Sequence, residues 1–471
     1  MNLLQAGIVD GIVFILTLVL GLAYVMRTSL GKERLFLSLY VLTTYSSYNL
    51  MVKPVHDYNL VVPRTFIFHY ELFGPLNSVD IIFIFLFFYL LYTYVVKYGF
   101  SFPNSGICRA INLIFLRDFF LVLLSLLAFF LFQNFFDYLN ISSFKDELRF
   151  CRGILYFSVL YLLFCFILRD GSLDFLGFFK RFVVLDVINL VSGYVGTRIY
   201  YEYIWERYFL KVSIIDQDDV YTFVVFYFVW TISFLVNFYK TKLPSKYVAV
   251  TFAVFVLAFF NFYKTLYMFG VVFFLILLFL RFYYKRRNFV QVCVFVFAVM
   301  LMVNSVLYFA SSKSIHTRLA QVVDYFDFVV ERSPFLVLTG IGHGGYFIAK
   351  TPTDDAGEIK KVDLDENEDV KKSLQIPVLT LLKQVGVFGF FVFVLFTFFI
   401  FIKILNSIPC YNNFTFALLF SPTIFASLGI MLSTPSPVHI IVFFKMFLLF
   451  ILYVEHRVFS GEKVASMSLV N

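Results

Sequence analysis

The run Val79-Asp-Ile-Ile-Phe-Ile-Phe-Leu-Phe-Phe-Tyr-Leu-Leu-Tyr-Thr-Tyr-Val-Val-Lys97 carries charge only near its two ends. It is apolar on every side, so no polar stripe marks a surface helix of a soluble domain. As a helix it would reach roughly 28 Å, close to the ~30 Å hydrocarbon layer of a bilayer. The same kind of block recurs along the chain, at 6–26, 35–52, 112–132, 153–169, 182–197, 220–238, 246–262, 265–281, 289–309, 376–402, 413–433 and 438–455. With 79–97, these blocks predict an all-α polytopic membrane protein of about 13 transmembrane helices (12–14). Asp186 shortens the apolar run of 182–197, and Lys264 is the only break between 246–262 and 265–281, which predicts a tight helical hairpin.

Composition excludes the alternatives. The 471 residues are 61% hydrophobic and 22% aromatic, with Phe 69 and Tyr 31, and only 14% are charged. A soluble chain needs about a quarter of its residues charged to cover its surface. Mean hydropathy is +0.87. A cytosolic enzyme, a secreted scaffold and a disordered tail are ruled out. A membrane β-barrel is ruled out as well, because its strands alternate polar with apolar over about 10 residues. Cys108, Cys151, Cys165, Cys293 and Cys410 are scattered and form no CxxC pair, so neither a disulfide framework nor a zinc site is expected. The block Ala6–Met26 has no basic segment before it and no small-residue cleavage site after it, and it reads as a retained helix.

The net charge of +8 is a topology signal, because Lys and Arg collect in cytoplasmic loops. No separate basic domain exists to bind nucleic acid. The segment Arg281-Phe-Tyr-Tyr-Lys285-Arg286-Arg287 is the most basic, followed by Lys240–Lys246 and Arg27–Arg34. Placing these inside puts the N-terminus outside and the C-terminus, with Arg457 and Lys463, inside. Segments 53–78, 133–152, 193–219 and 310–375 then lie outside. The chain divides into an N-terminal helix bundle (1–309), one large outer loop (310–375) and C-terminal membrane helices with a short tail (376–471). In the loop, apolar residues at helical spacing from Leu319 to Val330 predict an amphipathic helix over 319–338, lying on the outer membrane face. Thr351–Lys372 is strongly charged and reads as a flexible, solvated excursion. Its run Asp363–Asp369 lacks the Gly at position six and the Glu at position twelve of an EF-hand, with Glu368 and Leu374 there instead. Within the apolar blocks, Asp10, Asp186 and the pair Arg117-Asp118 are charged; the pair lies near the cytoplasmic end of its helix, where snorkelling suffices.

Basic residues on the outer side need a reason. Arg198 and Arg207 flank Tyr200 and Trp205, Lys264 sits at the hairpin tip, and Arg318 opens the long loop. Each alone is explained by lipid phosphates or a surface ion pair. Together they would suit an anionic substrate, because guanidinium groups grip phosphate bidentately and lysine adds a point charge. Asp324, Asp327, Glu331 and His343 are candidate general bases, although the three acids also fit the solvated side of the amphipathic helix. Tyr200 and Trp205 suit sugar stacking or an interfacial aromatic belt. Gly340-Ile-Gly342-His343-Gly344-Gly345 permits a tight turn and a close approach to a ligand. It is neither a dinucleotide fingerprint nor a P-loop.

The order of these elements resembles the C-terminal half of the O-antigen polymerase and O-antigen ligase superfamily, over roughly residues 250–400. Arg318 matches an outer Arg ahead of a Pro and a Gly-x-Gly-x-Gly turn, Gly340, Gly342 and Gly344 match the turn, and Gly386 and Gly389 match the Gly-x-x-Gly start of the next helix. The hairpin carries Lys264 where the family has Arg, and six residues separate Pro334 from the turn. Where ligases carry a His, this chain reads Ser373-Leu-Gln375-Ile-Pro377, which favours polymerase over ligase.

The resemblance implies a GT-C-like glycosyltransferase in a bacterial inner membrane, with the large loop periplasmic. It implies transfer of a glycan from undecaprenyl pyrophosphate to the sugar of the next lipid-linked repeat unit. Arg318, Lys264, Arg198 and Arg207 would stabilise the pyrophosphate, and Gly340, Gly342, Gly344, Tyr200 and Trp205 would contact substrate. No metal, nucleotide sugar or other cofactor is implied. Membrane lipids, a chain-length regulator and a flippase are the expected partners. The alternatives are an O-antigen ligase acting on lipid A-core and a lipid-linked oligosaccharide flippase.

Overall fold

The computed structural model describes residues 3–45, 71–73, 76–103, 107–136, 143–170, 312–349, 359–360, 369–371 and 377–407, with scattered positions in 177–195 and 435–453. Lys264, Arg198, Arg207, Tyr200 and Trp205 lie outside these residues, as do the expected spans 220–238, 246–262, 265–281, 289–309 and 413–433.

The described chain is mostly helical. Helices α1 (Leu3–Thr28) and α2 (Gly31–Thr44) form a hairpin, and α3 (Ser78–Tyr98), α4 (Ile107–Phe136) and α5 (Phe144–Asp170) follow. Helix α6 (Ser312–Arg332), the single-turn α7 (Pro334–Thr339) and α8 (Pro377–Ser407) complete the set. The described positions of 177–192 and 442–453 are helical too. Among the described residues, five stretches are long and apolar enough to cross a membrane: Gly11–Thr28, Ser78–Tyr98, Cys108–Gln133, Phe144–Arg169 and Thr380–Ile400. Exposed Ile12, Leu16, Val19 and Leu20 on α1, and Phe85, Phe88 and Tyr92 on α3, are what a lipid-facing surface requires.

Two small sheets accompany the helices: β1 (Glu71–Phe73) pairs with β2 (Leu76–Asn77), and β3 (Phe347–Ala349), β5 (Asp369–Lys371) and β4 (Ile359–Lys360) form an antiparallel sheet in that spatial order. The stretch Thr351–Lys372, expected to be a flexible excursion, contributes two short strands, Ile359–Lys360 and Asp369–Lys371. Helix α5 begins nine residues before 153, and Asp146 and Glu147 in its first turn are buried and hydrogen-bonded. The expected amphipathic helix is two helices, broken at Ser333 by the Pro that follows. One side of it meets protein, where Tyr325, Phe328 and Val329 pack with Phe132, Leu336, Ile341, Tyr346 and Phe347, whereas Val323, Val330, Phe335 and Leu338 are exposed.

Buried polar groups lock the bundle. Asn77 and Asp80 form a reciprocal capping box at the start of α3. Asp80 also accepts the Tyr156 hydroxyl and pairs with Arg152 at 3.1 Å, which joins α3 to α5. Arg117 does not snorkel. It is wholly buried and holds Asp118 Oδ1 through Nε and an NH2 group at 3.1 and 3.0 Å. It also donates to Thr397 of α8 at 3.3 Å, and Lys445 takes the other oxygen of Asp118. A lone charge in this setting would be costly, so the pairing explains why the charges are tolerated. Asp186, also buried, accepts the Tyr40 hydroxyl at 2.5 Å.

Candidate functional site

The Gly-rich turn is built against a break in α8. Ser333 caps α7, its hydroxyl accepting from the Phe335 N–H at 3.3 Å, with Pro334 in the first helical position. Gly340, at φ 76°, ends that helix and Gly342, also at φ 76°, turns the chain. Inside α8, Gly386 leaves helical geometry at φ 63°. The break frees the carbonyls of Lys383 and Gln384 from their helical partners. The turn satisfies both, with the Ile341 N–H donating to Lys383 O at 2.9 Å and the Gly342 N–H to Gln384 O at 3.1 Å. A kink and a turn that would each leave orphaned groups thus complete one another.

The glycines make this approach possible. A Cβ on Gly342 would meet Phe129 of α4 at 2.5 Å, and one on Gly344 would meet the Ser143 carbonyl at 2.3 Å. Gly340, Gly342 and Gly344 therefore press their Cβ sides against protein backbone and a packed ring.

His343 stands at the centre and is held from three helices. Its backbone N–H donates to Ser125 Oγ of α4 at 3.0 Å. Its carbonyl accepts the Lys383 ammonium of α8 at 2.9 Å. Gln384, also on α8, lies 2.8 Å from ring Nδ1. The imidazole stacks on Phe150 of α5 at 4.5 Å with a 7° tilt. Beside it, the buried Glu147 accepts the Ser125 hydroxyl at 2.8 Å and the Gly344 N–H at 2.7 Å. Lys383 and Gln384 are buried too, whereas the His343 side chain is only partly covered. A half-buried imidazole fixed at backbone, ring face and one nitrogen is preorganised for proton transfer or for a hydrogen bond to a ligand.

At the rim, the Tyr346 hydroxyl donates to Asp146, which also pairs with Arg149 at 3.0 Å. Burial, and then the acceptor Asp146, push the Tyr346 phenol above its ordinary range.

The residues expected from sequence fall unevenly around this cluster. His343, Gly340, Gly342 and Gly344 are in it. Arg318 lies on α6, whose far end packs over the turn. Asp324 is a correction: it is buried against the turn's core and not on a solvated face, whereas Asp327 and Glu331 are exposed. Ser125, Glu147, Lys383 and Gln384 were not expected. The signal for Lys383 was a charge within an apolar helix, which in a membrane protein needs a partner, whereas Glu147 stands among Lys145, Asp146 and Arg149 and carried no such signal. Among the described residues, no group of three or more His, Cys, Asp or Glu could hold a metal ion.

Comparison with protein-family models, curated proteins and solved structures returns no match for this chain.

Proposed function

We propose that this chain is a lipid-carrier-dependent glycosyltransferase, a repeat-unit polymerase for a surface polysaccharide of the O-antigen type. In this reading about 13 helices form a GT-C-like bundle in a bacterial inner membrane, with the N-terminus and the loop 310–375 periplasmic and the C-terminus cytoplasmic. The observation that carries it is the gathering of the Gly-rich turn, the Arg318-bearing helix and the starts of α5 and α8 at one end of the bundle, around an immobilised His343.

The donor is a glycan on undecaprenyl pyrophosphate. A hydroxyl of the next lipid-linked unit attacks the anomeric carbon, the carbon–oxygen bond to phosphate breaks, and the acceptor's proton leaves to a base or to a phosphate oxygen. Undecaprenyl pyrophosphate is released carrying the electron pair. Positive charge stabilises that departure, which is the role assigned to Arg318 and Lys264 with Arg198 and Arg207. Asp324, Glu331 and His343 are the groups near which an acceptor proton could move. A chain-length regulator and a flippase of the same pathway would be the partners.

The test replaces Arg318 with Ala in cells making the polymer. Surface glycan should fall to a single repeat unit on the lipid core while protein level stays normal. Complete loss of glycan, without the single-repeat form, would point to a flippase or a ligase. Polymer of unchanged length would refute the assignment of Arg318.

A further inference from the structure

The last turns of α3 and α5 and the first turn of α2 meet at one end of the bundle, where the apolar stretches Ser78–Tyr98 and Phe144–Arg169 stop. Their rings form one contiguous cluster. Phe166 of α5 lies 5.2 Å from Tyr94 and 5.9 Å from Tyr98, and Tyr94 stacks on Phe102 at 5.1 Å. Two cations from different helices rest on it. The Lys32 ammonium of α2 stands 4.6 Å from the Phe166 ring centre and 5.7 Å from that of Tyr89. The Arg169 guanidinium of α5 stands 5.0 Å from the Tyr98 ring centre and 5.9 Å from that of Tyr94, and it donates to Ser101 Oγ at 2.8 Å.

Among the described residues, neither cation has a carboxylate partner. Glu33, the acid next to Lys32, is taken by Arg181. A ring face attracts an ammonium but supplies no oxygen to its three N–H groups. Tyr89, on which Lys32 leans, is itself exposed, and so are Tyr92 and Val96 on α3 and Phe100 just past its end. The charged patch therefore runs straight into an apolar surface.

We propose that Lys32 and Arg169, on this aromatic platform, bind the phosphate of an anionic phospholipid whose acyl chains lie along the exposed side of α3. The cations stand where apolar spans end, which is the level of lipid phosphates, and an oxyanion there completes the donors that the rings leave open. A soluble anion would match the charges but not the apolar wall below them. In the orientation proposed above, this end faces the cytoplasmic leaflet, whose anionic lipids attract basic groups.

The test uses the full chain purified in detergent micelles. Bound lipids are counted by native mass spectrometry as phosphatidylglycerol, or phosphatidylcholine of the same acyl chains, is added. The wild type should hold phosphatidylglycerol the more tightly. Lys32→Met and Arg169→Gln should each weaken it about fivefold, and more in combination. Lys32→Arg should keep it. Lys180→Met removes an exposed cation that has no ring partner and should change affinity by less than about twofold. Arg169→Gln also loses the Ser101 contact; if that variant fails to fold, Lys32→Met carries the test.

Equal affinity for the two lipids, unchanged binding in Lys32→Met, or an equal loss in Lys180→Met overturns the proposal. Displacement of phosphatidylglycerol by inorganic phosphate would give the site to a soluble anion and overturn it as well. Polymer length plays no part in this measurement, so its outcome is independent of the polymerase reading.

Discussion

Gly340 and Gly386 touch backbone to backbone where α7 crosses the entry of α8. A Cβ on Gly340 would lie 2.6 Å from the nitrogen of Gly386, and one on Gly386 would lie 2.5 Å from the nitrogen of Gly340 and 2.2 Å from the carbonyl of Leu338. Both residues also hold positive φ, at 76° and 63°. Neither the contact nor the backbone tolerates a side chain.

Gly386→Ala should therefore destabilise the protein by about 3 kcal/mol or more, from backbone strain of roughly 1–3 kcal/mol at φ 63° and ψ −171° and overpacking of roughly 1–3 kcal/mol. Gly99 is the matched control. It has φ 65° and ψ −162° but open space around it, so Gly99→Ala should cost only the strain of about 1–3 kcal/mol. Unfolding of the purified variants in detergent micelles separates the two; equal losses would mean that the close approach is not real.

The Arg117–Asp118–Lys445 group predicts an order of effects. Asp118→Asn leaves two buried cations facing a neutral amide and should cost about 3–5 kcal/mol. Lys445→Met leaves the two-point contact between Arg117 and Asp118 intact and should cost less than about 3 kcal/mol. The same unfolding measurement reads both, and a larger loss for Lys445→Met would reject this account of the triad.

Tyr346 predicts an alkaline limit. Its phenol is raised in the folded protein, by burial and by donation to Asp146. Its contribution is fully present below the ordinary phenol value of about 10 and is lost as pH rises from there through the raised folded value. Wild-type stability should fall above about pH 10 more steeply than that of Tyr346→Phe, which has no proton to lose. Parallel pH–stability curves for the two would mean that the hydroxyl is not held as described.

The apolar blocks were legible because each segment reveals its own hydropathy. The block 79–97 became Ser78–Tyr98, and 376–402 became Pro377–Ser407. The turn was legible from its glycines. Helix α5 was misjudged because Lys145, Asp146, Glu147 and Arg149 look like a solvated loop until their partners are known. Glu147 is satisfied by Ser125 and by Gly344, the latter 197 residues away, and no local pattern reports such a pairing. Asp324 has the same lesson in reverse. Its helical spacing was readable, but which side of the helix is covered depends on the turn folded beneath it.

Asp118 and Lys445 are separated by 327 residues, yet they share one ion pair. At ordinary translation rates, about 5–20 residues per second, the nascent helix carrying Asp118 waits roughly 15–65 s for its second cation to be synthesised. During that interval Arg117 is the described cation beside the carboxylate, so assembly of the early helices stays provisional until the segment carrying Lys445 is made.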